Sequence, residues 1–157
     1  MSGASTAESK VRYKTFTYRT RIEWLGNRAG RIESNDKPAF RVSSPPEFKG
    51  EASVWTPEDL FVASVNACLM TTFAAFAQRQ SLLVLSYASE ADGDLEFVDG
   101  SYRFTRVTLR PTVLVHEATA IPVAEKALDD AHRSCLISNS IRAEVAVEAI
   151  VRAESQG

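Results

Sequence analysis

Two residues of the chain are thiol nucleophiles by type, Cys68 and Cys135, and their surroundings decide what each can do. A thiolate attacks electrophilic oxygen or sulfur, and a second thiol within reach can then close a disulfide. Cys68 stands in Val65-Asn66-Ala67-Cys68-Leu69-Met70, an apolar helical context about three turns beyond a helix start at Thr56. At that depth the helix dipole does little for a thiolate, because its effect fades after the first turn. Burial alone raises a thiol pKa and leaves the group inert, so a reactive Cys68 requires a cation supplied from elsewhere. Cys135, taken alone, reads as a small buried residue closing a helix end. In a reducing compartment, cysteines so far apart in sequence are two free thiols rather than a permanent staple.

Other chemistries find less support. His116 and His132 are distant from one another and no close Cys/His spacing occurs, so neither a metal nor a bound cofactor is expected. Gly26, Gly30 and Gly50 are too scattered for a phosphate loop. Counting residues does not exclude a Ser/His/Asp hydrolase, yet the chain has no Gly-x-Ser-x-Gly turn. The formal net charge of -2 is spread without a block of like charges, which argues against nucleic acid and against a polybasic membrane patch. A small neutral or apolar partner fits better. The reading finds no apolar run of the roughly 18 residues a membrane span requires, and MSGASTAESK lacks the pattern of a signal peptide. A cytoplasmic protein is expected.

The elements that must position these thiols follow from pattern. With 157 residues, 45% hydrophobic and 24% charged, the chain fits one domain over residues 11–157, preceded by a small, polar, disordered tail over residues 1–10. Strand composition runs from Tyr13 to Thr20 and from Arg21 to Trp24, up to a turn at Gly26-Asn27. Short strands are expected at Gly30 to Ser34 and Ala39 to Ser43, then a long loop from Ser44 to Thr56. Thr56-Pro57-Glu58-Asp59 is a helix start: a capping hydroxyl, a proline suited to the first turn, and acids at the positive end. This helix runs to about Arg79 and is apolar nearly all round, which implies burial on more than one side. Leu83 to Leu95 and Tyr102 to Val115 alternate as a hairpin about Asp99-Gly100. A second helix begins at Pro122 and leads to Cys135, and Arg142 to Ala153 alternates as one half-exposed strand. The order is α+β.

Trp24-Leu25-Gly26-Asn27-Arg28-Ala29-Gly30, Pro46-Glu47-Phe48-Lys49-Gly50, Thr56-Pro57-Glu58-Asp59-Leu60, Asn66-Ala67-Cys68-Leu69 and a distal Cys135 together resemble the OsmC and organic hydroperoxide resistance family. The order and spacing carry the resemblance, with a glutamate ten residues before the first cysteine and a second cysteine near the end of the following helix. The resemblance implies antiparallel sheets packed around a long buried central helix, in an intertwined homodimer with two sites at the subunit interface. It implies reduction of organic hydroperoxides, with Cys68 peroxidatic, Cys135 resolving, and an external dithiol, often lipoyl-linked, restoring the thiols. Glu58 would orient an arginine over the Cys68 sulfur. Arg28 matches that arginine best, with Arg31 and Arg41 as substitutes. The chain departs from the family's pattern in two places: the loop before the long helix offers Pro46-Glu47-Phe48 where some members carry the arginine, and Leu136 follows Cys135 where proline is usual.

In one straight helix, Glu58 and Cys68 lie roughly 15 Å apart along the axis. Either the helix breaks between them or Glu58 serves the cysteine of a second subunit. Phe48, Trp55, Phe61 and Phe73 suit an apolar mouth as well as a plain core. The alternative to an enzyme is a dimeric apolar-ligand-binding protein or thiol redox sensor on the same fold.

Overall fold

The computed structural model describes residues 11–154; the tail expected over residues 1–10 lies outside them. The chain divides into two compact units, one ending at Val54 and the other beginning at Trp55.

The first unit is an antiparallel meander of β1 (Arg21–Gly26), β2 (Ala29–Glu33) and β3 (Phe40–Ser43). Asn27, at φ 47°, and Gly26, at φ 109°, take the left-handed backbone that the β1–β2 turn demands. Trp24 pairs with Gly30, and Arg31 with Arg41. The strand expected from Tyr13 to Thr20 does not form. Those residues have no regular structure and are exposed, with Tyr13 at 88% and Tyr18 at 91%. Strand propensity takes effect through cross-strand packing, and this segment has no strand beside it.

In the second unit, α1 (Pro57–Arg79) is followed by β4 (Val84–Val98), β5 (Ser101–Val115), α2 (Ile121–Ser134), β6 (Glu144–Val147) and β7 (Ile150–Ala153). Thr56 caps α1 as the sequence implies. Its hydroxyl accepts from the Asp59 amide at 3.0 Å, while the Asp59 carboxylate accepts from the Thr56 amide at 3.0 Å, a reciprocal capping box. β4 and β5 form the expected hairpin, turning at Asp99 and Gly100 with φ of 51° and 84°. On β5 the residues Val107, Leu109, Val113 and Val115 alternate onto one face, where they meet Val65, Leu69 and Phe73 of α1 and Ala124, Ala127, Leu128 and Ala131 of α2.

Three expectations need correction. The segment from Arg142 to Ala153 is two strands, β6 and β7, and both run parallel to β5, so the sheet is mixed rather than antiparallel. The reason is connectivity: after β5 the chain crosses over through α2 and returns in the same direction. The second concerns α1, of which a single chain buries one stripe, Val65, Leu69, Phe73 and Ala77. Ala67, Met70, Thr71 and Ala74 stay exposed. The third is that α1 is, by length and composition, apolar enough to cross a membrane, because no charged residue interrupts it between Asp59 and Arg79. Its buried stripe nonetheless packs against β5 and α2 as a core helix does.

Candidate active site

The packing of α2 against α1 determines where the cysteines lie. α2 carries its small residues Ala124, Ala127 and Ala131 inward at helical spacing, which lets the two helices approach closely. It ends at Cys135, which leaves the helical conformation with φ -65° and ψ 114°. The buried Cys135 and the partly exposed Cys68 are near enough for each to act on the other's ionisation. Cys68 also lies 3.9 Å from the Thr72 hydroxyl, one turn further along α1.

This environment divides the pair. Burial pushes the Cys68 thiol up, but the Cys135 thiol, the Ile137 amide, the Thr72 hydroxyl and the Leu136 amide outweigh it and hold Cys68 below the ordinary thiol value. Cys135 moves the other way. Burial raises it, the negative charge that Cys68 takes on raises it further, and donors from Ser138 offset this only in part. Of the two, Cys68 is the thiol that ionises more readily and Cys135 the one that holds its proton longer. Among the described residues of one chain, the groups that lower Cys68 are neutral donors, and no cation is among them.

Glu58 lies in the first turn of α1, and that helix is unbroken from Pro57 to Arg79. Glu58 and Cys68 therefore do not meet within one chain; the rise of the helix separates them by about 15 Å. Glu58 faces a cavity of about 670 Å³ lined also by Trp55, Val62, Asn66, Gly93 and Phe104. A Cβ on Gly93 would fall 2.5 Å from the Val62 side chain, so glycine is what lets β4 approach α1 here. Two buried acceptors in this cavity, Glu58 Oε2 and Asn66 Oδ1, have no partner among the described residues. The Asn66 amide nitrogen donates to the Ser89 carbonyl at 3.3 Å, which leaves the Oδ1 lone pairs unused.

The candidate arginines belong to the first unit. Arg41 is clasped by Glu51 through two contacts of 2.8 and 2.5 Å, and Arg31 pairs with Glu33 at 2.9 Å. Arg28, in the β1–β2 turn, has no carboxylate partner among the described residues and lines a cavity with Asn27, Lys49, Gly50 and Glu51. Of the aromatics, Phe73 is core, and Phe61 stacks on Phe104 with ring centroids 4.4 Å apart. Trp55 lines the Glu58 cavity. No group of three or more metal-ligating side chains lies together among the described residues.

Sequence reasoning missed Thr72, Asn66 and the two amides. The spacing of four residues from Cys68 was a signal for Thr72, and Asn66 stood inside the quoted motif. A main-chain donor leaves no mark in a sequence.

Comparison with known proteins bears on the family and the fold. A family model described as OsmC-like protein matches residues 50–149. A Vibrio cholerae structure described as an OsmC-like protein of unknown function is 27% identical, with a TM-score of 0.79 over 87% of this chain and 100% of that one. An organic hydroperoxide resistance protein from Legionella pneumophila is 24% identical, with a TM-score of 0.70 over 88% of this chain and 98% of that one. The organic hydroperoxide resistance protein OhrB of Bacillus subtilis is 25% identical, with a TM-score of 0.63 over 87% of this chain and 98% of that one. No curated protein sequence matches significantly. With the family's pattern matched across most of the second unit, the chain belongs to the OsmC-like family.

Proposed function

We propose that this protein is a dithiol-dependent peroxidase that reduces organic hydroperoxides to alcohols. The observation that carries the reading is the pair of neighbouring free thiols whose surroundings lower one and raise the other. Structural relatives named for organic hydroperoxide resistance support the choice of substrate.

In the reaction, the Cys68 thiolate attacks the distal oxygen of R–O–O–H and the O–O bond breaks. Protonation of the departing alkoxide gives the alcohol, and Cys68 becomes a sulfenic acid. Cys135 then attacks the sulfenic sulfur, a disulfide forms and water leaves, carrying the thiol proton and the sulfenic hydroxyl. An external dithiol, such as a lipoyl-linked one, reopens the disulfide by exchange and is itself oxidised to its disulfide. Arg28 is the cation of this reading, since Arg31 and Arg41 are held by Glu33 and Glu51. It would stabilise charge on the leaving oxygen. Glu58 orients that guanidinium, and Asn66 Oδ1 offers a second acceptor in the same cavity.

The continuous α1 removes the broken-helix option, which supports the reading in which Glu58 serves the Cys68 of a partner subunit in a homodimer. The reading places the enzyme in the cytoplasm, where reduced thiols supply the donor. Purified protein supplied with dihydrolipoamide should consume cumene hydroperoxide, and Cys68→Ser should abolish turnover; a wild type that consumes none rules out the enzyme.

One observation favours the apolar-ligand alternative. A cavity of about 340 Å³ is lined by Met70, Phe73, Ala77, Leu82, Val84 and Tyr87, a largely apolar set. Peroxide treatment separates the readings: a binding protein yields no Cys68–Cys135 disulfide that a dithiol reopens through repeated cycles.

A further inference from the structure

One turn beyond Cys68 stand two adjacent threonines, Thr71 and Thr72, and their hydroxyls meet different atoms of the cysteine. The Thr71 hydroxyl donates to the Cys68 carbonyl at 3.2 Å. The Thr72 hydroxyl lies 3.9 Å from the Cys68 sulfur, and either atom can be the donor while the thiol is neutral. A threonine inside a helix ordinarily turns its hydroxyl back to the carbonyl three or four residues earlier. For Thr72 the carbonyl four residues earlier is that of Cys68. Within α1 this carbonyl receives the helical amide of Thr72, and the Thr71 hydroxyl takes its second lone pair. Among the described residues the Thr72 hydroxyl accordingly bonds no carbonyl and meets the sulfur instead.

We infer that Thr71 and Thr72 divide two tasks around Cys68: Thr71 occupies the main-chain carbonyl, which leaves Thr72 to give its one hydroxyl proton to the sulfur once the sulfur has lost its own. An ionised sulfur only accepts, and a hydroxyl has a single proton to donate, so a carbonyl left open would compete for it. Thr72 touches the reacting atom, whereas Thr71 acts through Thr72 as a positioning residue. A bond to a charged acceptor is shorter than one between neutral groups, so the 3.9 Å contact closes as the thiolate forms. Both threonines sit on the unbroken helix that carries Cys68, so little has to reorganise when the charge appears. The lowered Cys68 thiol agrees, since Thr72 is among the groups that lower it. Among the described residues, the titratable group that acts on Cys68 from the end of α2 is Cys135. The inference rests on the peroxidase reading only for the use made of the thiolate.

The test is peptide-resolved alkylation of reduced full-length protein by iodoacetamide as a function of pH, with Cys135 left in place throughout. Thr72→Val removes the hydroxyl with little change of shape and should raise the Cys68 midpoint by about half a pH unit, the value of a modest hydrogen bond. Thr72→Ser keeps a hydroxyl and should return the midpoint to that of the wild type. Thr71→Val opens the Cys68 carbonyl to the Thr72 proton and should raise the midpoint by a smaller amount. In the double variant Thr71→Val should add nothing, because no Thr72 proton is left to divert. A Thr72→Val midpoint equal to wild type, or a Thr72→Ser midpoint as high as that of Thr72→Val, overturns the role of Thr72. A Thr71→Val midpoint equal to wild type, or two effects that simply add, overturns the division of tasks. Should Thr72→Val not fold, Thr72→Ala deletes the same hydroxyl by truncation and is read in the same way. Peroxide turnover enters none of these readouts, so the expected shifts without turnover would sink the enzyme and leave the threonine pair standing.

Discussion

At the scale of single residues, the two sulfurs differ because their surroundings do. Cys68 is partly exposed and receives donors from several directions, whereas Cys135 is fully buried and is itself one of those donors. Rising pH therefore ionises Cys68 first, and the charge formed there opposes ionisation of Cys135. Removing the Cys135 thiol tests this division of roles. In Cys135→Ala one donor to Cys68 is lost, so its alkylation midpoint should rise and its reaction with hydroperoxide at neutral pH should slow. The product should change too. One equivalent of hydroperoxide should leave the wild type with a disulfide, while the variant should gain one oxygen atom as a sulfenic acid that dimedone captures. A variant that reacts as fast as wild type, with no trapped sulfenic acid, would assign Cys135 to packing alone.

At the scale of elements, α1 has two ends of separate use: its start carries Glu58 and its middle carries Cys68. The capping box at Thr56 and Asp59 stabilises that start, and Thr56→Ala should cost about 1 kcal/mol and lower Tm by about 3 °C in a scanning calorimeter. The Cys68 alkylation profile should stay unchanged, since the sulfur lies about three turns from the cap. This start was legible in the sequence because Thr56-Pro57-Glu58-Asp59 signals locally, as Asp99-Gly100 does for the β4–β5 turn. What was not legible depends on distant partners. Tyr13 to Thr20 has strand composition without a neighbour to pair, and the parallel pairing of β6 and β7 is set by β5, some thirty residues earlier. The cysteines of the candidate site stand out by type, but the neutral groups around Cys68 do not, because a backbone N–H has no residue code.

At the scale of the whole molecule, three features are incomplete in one chain. α1 leaves Ala67, Met70, Thr71 and Ala74 uncovered, residues 11–20 have strand composition and are exposed, and Glu58 Oε2 and Asn66 Oδ1 are buried acceptors without a donor among the described residues. A second copy would cover the small-residue face of α1, offer the exposed segment a strand to join, and bring Cys68 of one subunit within reach of Glu58 of the other. Sedimentation should accordingly give twice the 17.3 kDa chain mass. Mixed variants give the sharper test. Glu58→Gln and Cys68→Ser should each be nearly inactive alone. If the site is shared, a heterodimer of the two holds one intact site, made of Cys68 from the first variant and Glu58 from the second, and one site lacking both. Unfolding and refolding an equal mixture should then restore about a quarter of wild-type peroxidase activity, since half of the dimers are mixed and half of their sites are whole. If Glu58 acts within its own chain, every site in the mixture lacks one of the two residues, and activity should stay at the level of the separate variants.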